Sequence, residues 1–75
     1  MYIGYHMYMK EFILAELALG PLHGYEISKR YAEYRQKKFV PSETYSTLHA
    51  LEELGLIAST WEPGGLGMRK VYRLA

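Results

Sequence analysis

At Gly55 the chain changes its hydrophobic period, and that change limits what it can fold into. Before it, core-type side chains return every three or four residues, as in Tyr5, Tyr8, Phe12, Ala15 and Leu19, in Ile27, Tyr31 and Tyr34, and in Thr44, Leu48, Leu51 and Leu54. That spacing puts each set on one side of a helix. After Gly55 the pattern alternates, with Ile57, Ser59 and Trp61 on one side of an extended segment and Lys70, Tyr72 and Leu74 on one side of a second. Alternation is the period of a strand. The expected fold is therefore α+β and mainly α: three helices followed by a C-terminal β-hairpin, the order of a winged helix-turn-helix.

Local signals set the expected boundaries. The first helix starts near Tyr5, because Gly4 disfavours an earlier start, and runs to about Leu19, where Gly20-Pro21 stops it. A second helix covers Gly24 to Arg35, and Gln36 to Val40 forms a basic linker in which Pro41 biases Val40 toward extended backbone. Ser42 is the expected N-cap of the third helix and Gly55 its left-handed terminator. Pro63 to Gly67 reads as a flexible tip between two strands, with Tyr72 and Leu74 as core contacts.

Seventy-five residues make one domain, 1–75, with residues 1–9 as an aromatic-rich N-terminal segment. So short a chain has a limited core and needs help from elsewhere. Cysteine is absent, which excludes a disulfide framework and points to a reducing, cytoplasmic setting. Oligomerisation is the remaining staple. The first helix supports it, because beside the stripe of Tyr5, Tyr8, Phe12, Ala15 and Leu19 lies a second apolar side of Ile13, Leu14, Leu17 and Ala18. Such a helix is either buried in its own domain or shared with a partner. The nearly apolar run from Phe12 to Leu19 contains Glu16 and is too short to span a bilayer, so no membrane role is expected.

Catalytic readings fail on chemistry. Gly64, Gly65 and Gly67 precede a strand-like segment, whereas a phosphate-cradling loop opens a helix. His23 has no second ligand at metal spacing, and Glu52 and Glu53, adjacent on a helix, do not face each other and read as a solvated face. No catalytic residue, metal or cofactor is expected.

Charge points elsewhere. The net charge is only +1, but Lys29, Arg30, Arg35, Lys37 and Lys38 stand against Glu33 between positions 29 and 38, and Arg69, Lys70 and Arg73 cluster near the end. The third helix carries Ser42, Ser46, His49 and Glu53 opposite its leucines, a small polar face that either enters the major groove of DNA or is simply solvated. A DNA binder needs cations on the second helix, the linker and the wing, all facing the way the third helix faces. A winged helix that binds another protein is the alternative.

The segments GPLHGYEI (Gly20 to Ile27), TLHALEELGLI (Thr47 to Ile57) and GGLGMRKVYRL (Gly64 to Leu74) stand in an order and spacing that resemble the PadR family of transcriptional regulators. The resemblance covers residues 12 to 75. It implies a sequence-specific, double-stranded DNA-binding regulator, a repressor, acting as a homodimer on a palindromic operator, with the third helix in the major groove and the wing on the adjacent backbone. Tyr45 matches the family's tyrosine near the start of that helix, and Arg69 and Lys70 match the basic pair after the wing tip. The residues expected at DNA are Lys29, Arg30, Lys37, Lys38, Ser42, Glu43, Tyr45, Ser46, His49, Arg69 and Lys70. Where the family reads Gly-Thr-Leu-Tyr-Pro this chain has Ser42-Glu43-Thr44-Tyr45-Ser46, so base preference does not transfer. The chain stops at Ala75, where typical members continue into a helical dimerisation domain, so it is expected to be a short form or a fragment. A dimer would then use Tyr5, Tyr8, Met9, Phe12, Ala15 and Leu19. The sequence identifies no small-molecule effector.

Overall fold

One side of each helix and the inner face of the paired strands meet in a single core, although Tyr8, Leu19 and Leu54 of the expected stripes stay exposed and α1 turns in Ile13 and Leu17 instead. The computed structural model describes residues 7–75, in the order α1 (Met9–Ala18), β1 (Leu22–His23), α2 (Gly24–Arg35), α3 (Pro41–Glu53), β2 (Ile57–Gly64) and β3 (Gly67–Leu74). Ile13 and Leu17 of α1, Ile27 of α2, Leu48 and Leu51 of α3, Ile57 of β2 and Tyr72 of β3 form one buried cluster, with Met9, Leu14 and Leu22 packed against it. Burial of this kind is the main favourable contribution to folding. Among the described residues, no helix is long and apolar enough to cross a membrane.

The helix starts differ from expectation. Tyr8 is extended (φ −71°, ψ 165°) and α1 begins at Met9, not near Tyr5, a residue that lies outside the described ones. α3 begins at Pro41 with Val40 in the capping position, so Ser42 is inside the first turn and caps nothing. Proline suits the first helical position, since its fixed φ is helical and its missing N–H would have had no partner there. α2 matches Gly24 to Arg35, and His23 caps it by accepting the Glu26 backbone N–H at Nδ1, 3.3 Å away.

The helix ends are closed by backbone. At α3, Gly55 takes φ +76°, its N–H donates to the Glu52 carbonyl, and the Leu56 N–H reaches the Leu51 carbonyl. α2 ends in the same double bond, Gln36 to Glu33 and Lys37 to Ala32, but the left-handed position is held by Gln36 at φ 53°.

The sheet has three antiparallel strands in the order β1-β3-β2. β1 was not anticipated: two residues show no period, and the strand exists because Leu22 pairs with Tyr72 and His23 with Val71. In the hairpin Pro63 pairs with Met68 and Gly64 with Gly67, which shortens the expected tip to a two-residue turn, Gly65-Leu66. Gly65, at φ +57°, supplies the positive angle that a tight hairpin turn needs at its first central position. Tyr72 is buried as expected, but Leu74 is 42% exposed. β1 ends opposite Tyr72, so Leu74 lacks a neighbouring strand on that side.

α1 divides its apolar side chains between two surfaces. Phe12, expected to face a partner, is buried in its own domain, edge-on to Tyr31 (5.2 Å between centroids) and stacked with Tyr34 (5.0 Å). Met9 is half-buried against the core. Tyr8 and Leu19 are 76% and 84% exposed, with Ala15 and Ala18 exposed between them.

Candidate nucleic-acid interface

α3 presents a sharply divided cylinder. Thr44, Leu48 and Leu51 are buried, whereas Ser42, Glu43, Tyr45, Ser46 and His49 are all exposed. The spacing of the leucines forces this, because turning them into the core turns the hydroxyls and the imidazole outward. His49 lies 3.6 Å from Glu53 one turn further along the same face.

Tyr45 is exposed but held. Its ring lies across the first turn of α2, so close that a Cβ on Gly24 would stand 2.5 Å from Cε1 and 2.7 Å from the hydroxyl oxygen. Only a residue without a side chain leaves room for that ring as placed. Gly24 thereby joins the start of α2 to the outer face of α3.

The wing is fastened to α3 by Glu52. One carboxylate oxygen accepts the Ser59 hydroxyl of β2 at 2.6 Å, and the other lies 3.9 Å from the Lys70 ammonium of β3. Glu52 is therefore half-buried and partnered, not part of a solvated face as expected, while Glu53 is exposed. Lys70 also sits over the rings of Trp61 and Tyr72, 5.8 Å from each centroid. Burial first, then the negative charge of Glu52, pushes the Tyr72 phenol up to about 12. An open cleft of about 570 Å³ separates wing from helices, bounded by His23 and Tyr25 on one side, Tyr45 beside them, and Trp61, Met68 and Lys70 on the wing.

The cations separate into committed and uncommitted groups. Arg30 donates to Glu16 at 2.8 Å and to Glu26 at 3.0 Å, tying α1 to α2. The Arg30 hydrogen bond holds the Glu26 carboxyl below its usual range, and the two carboxylates hold the guanidinium above its own. Arg73 is likewise paired with Glu62, at 2.9 Å. Arg35 and Lys37 lie over the Tyr31 ring, at 5.8 and 6.0 Å. Lys29, Lys38 and Arg69 are exposed and carry no ion pair among the described residues. Lys29 stands one turn after Tyr25, and Lys38 precedes Phe39, whose ring meets Tyr25 at 5.1 Å. Neither is among the side chains that line the cleft. Arg69 stands at the wing end of the same cleft, its side chain lying against Gly64 and Gly65.

Residues 13–75 match the model of the transcriptional regulator PadR-like family. The chain belongs to that family. Solved structures agree: a transcriptional regulator from Thermoplasma acidophilum is 29% identical (TM-score 0.78; 89% of this chain, 65% of that one). A PadR family transcriptional regulator from Eggerthella lenta is 31% identical (TM-score 0.75; 89% and 58%). PadR of Bacillus subtilis, solved in complex with operator DNA, is 30% identical (TM-score 0.75; 89% and 40%). The chain thus spans from 40% to 65% of the length of these three relatives. No curated protein matches it.

Against the PadR-like pattern, the winged helix-turn-helix expected from the sequence is the observed fold, and the family is one of transcriptional regulators, not enzymes. Among the described residues, no group of His and Glu side chains is arranged to hold a metal. Sequence reasoning missed Gly24, Glu52, Trp61 and Met68. Gly24 and Glu52 act through contacts distant in sequence, which periodicity does not report. Trp61 and Met68 carried a signal in the alternation, which shows that they share a face but not where the helices stop covering it.

Proposed function

We propose that residues 1–75 are a single winged-helix domain that binds double-stranded DNA as a transcriptional regulator, a repressor acting as a homodimer on a palindromic operator in the cytoplasm. The observation that carries this reading is the exposed face of Ser42, Glu43, Tyr45, Ser46 and His49 on α3, beside a cleft that Tyr45 and the exposed Arg69 line together. Small hydroxyls, an imidazole and a carboxylate suit base edges in the major groove, and unpaired cations suit phosphates. The Bacillus subtilis relative, solved with operator DNA, supports it. Arg30 and Lys70, which already face carboxylates, contribute less than sequence position alone implies.

Titration of duplex DNA at several salt concentrations tests the proposal. About three or four phosphates neutralised per protomer, and so about six to eight per dimer, give log affinity of the dimer against log salt a slope of roughly −6. No binding at low salt, or a slope near zero, overturns the reading. Glu43→Gln with Ser46→Ala should change the sequence selected from random duplexes, since Glu43 can accept from a cytosine amino group. An unchanged selected sequence removes α3 as the reader.

A further inference from the structure

We infer that the cleft between wing and helices is a binding site for a small, planar, fused-ring aromatic anion, and that a molecule held there displaces DNA. The displacement rests on the reading above and adds its regulation; the site itself stands on the cleft alone. Aromatic side chains line both walls. Tyr25 and Tyr45 come from the helices and Trp61 from the wing, with Tyr72 and Met68 between. Trp61 is 64% exposed and Tyr25 54%, so the fold leaves much of this ring surface unburied. A flat ring system lodged between the walls is covered on both faces, which is where apolar burial and ring stacking contribute most. At about 570 Å³ the cleft falls within the ordinary range for small-molecule sites, whereas a cavity of about 150 Å³ already holds benzene. The occupant that fills it is therefore larger than one ring.

The charge of the ligand follows from what the walls offer. Lys70 is committed, to the Glu52 carboxylate and to the rings of Trp61 and Tyr72. Arg69 is not: it lines the cleft, is exposed, and carries no ion pair among the described residues. His23 adds a donor to the opposite wall. Its Nδ1 accepts the Glu26 N–H, so the hydrogen of the neutral ring is on Nε2. No carboxylate lines the cleft, since Glu52 is turned to Ser59 and Lys70. A free guanidinium and an imidazole N–H with no opposing negative charge select an anion and disfavour a cation. Arg69 lies against Gly64 and Gly65, which puts the anionic group at the wing end and the rings beside Tyr45 and Trp61. Tyr45 also belongs to the exposed face of α3, so a molecule that covers it together with Arg69 takes both away from a duplex.

Trp61 is the single tryptophan of the chain, so its fluorescence reports on this cleft. The test titrates the intact chain and Arg69→Ala with 2-naphthoate, with the neutral 2-naphthalenemethanol and with guanosine 5′-monophosphate, by Trp61 fluorescence and calorimetry at fixed ionic strength. 2-Naphthoate should quench Trp61 saturably. Arg69→Ala should weaken its binding about tenfold, the loss of one charge-assisted hydrogen bond, and leave binding of the alcohol unchanged. The variant should unfold at the wild-type urea midpoint, because the replaced side chain is exposed. Saturating 2-naphthoate should weaken affinity for a mixed-sequence duplex about tenfold or more. Tighter binding of the nucleotide assigns the ligand to the nucleotides and tighter binding of 2-naphthoate to the aromatic carboxylates, and either supports the site. No quenching by either anion at millimolar concentration overturns it, as does heat of binding without quenching or an equal affinity of 2-naphthoate for Arg69→Ala. A bound probe that leaves duplex affinity unchanged overturns the displacement. If the intact chain binds 2-naphthoate but no duplex, the DNA-binding reading and the displacement fall together and the ligand site stands.

Discussion

Gly24 and Tyr45 show how one missing side chain places another. The ring occupies space that a Cβ would take, and the atoms in the way are the outer end of an exposed side chain. Gly24→Ala should therefore cost little stability, within about 1 kcal/mol, because the helix gains a better former as the ring loses its seat. Its effect on DNA affinity should be larger than its effect on stability. In a Tyr45→Ala background, Gly24→Ala should be neutral or slightly stabilising by urea unfolding, since nothing is left to collide with. An equal cost in both backgrounds would show that the glycine serves something other than the ring.

At the scale of elements, helix ends and strand pairs set the stability that can be tuned. Gln36 holds the left-handed position that closes α2, which a side chain disfavours and glycine does not. Gln36→Gly should raise stability by about 0.5–1 kcal/mol, measured as a higher urea midpoint with an unchanged slope. The hairpin carries a pH dependence of known sign. Hydrogen bonds from Arg73 and then Thr60 hold the Glu62 carboxyl below its ordinary value of 4.5. A carboxyl depressed on folding contributes stability above its unfolded pKa and loses it as pH falls through the folded one. The wild type should therefore lose stability below pH 4.5 more steeply than Glu62→Gln. Glu26, held down by Arg30, adds to the same acid loss in both proteins, so the difference between the two curves isolates the hairpin pair. Coincident curves would show that the pair contributes nothing.

For the whole molecule, the open question is what covers α1. With Phe12 and Met9 turned into the domain, Tyr8, Ala15 and Leu19 remain on the exposed side, and they define the proposed dimer surface. In a two-fold dimer each substitution is counted twice, so Leu19→Lys should weaken self-association by more than tenfold in sedimentation equilibrium. Its exposure predicts an unchanged monomer fold. A dimer that persists undiminished would place the interface elsewhere, and a wild-type monomer would remove it.

The order of helices and hairpin was legible in the sequence because periodicity reports which residues share a face, and Gly55 marks where the period changes. The polar face of α3 was legible for the same reason: Leu48 and Leu51 leave Ser42, Ser46 and His49 a single place to go. Which cations stay uncommitted was legible only in part, since Arg30 meets Glu26 one turn back on its own helix but is also held by Glu16 of α1, whereas its neighbour Lys29 has no ion pair among the described residues. β1, the seat of Tyr45 on Gly24 and the fastening of Ser59 and Lys70 to Glu52 likewise depend on contacts between distant segments. A local pattern carries the direction of each side chain; what it meets there was decided by the packing of one element on another.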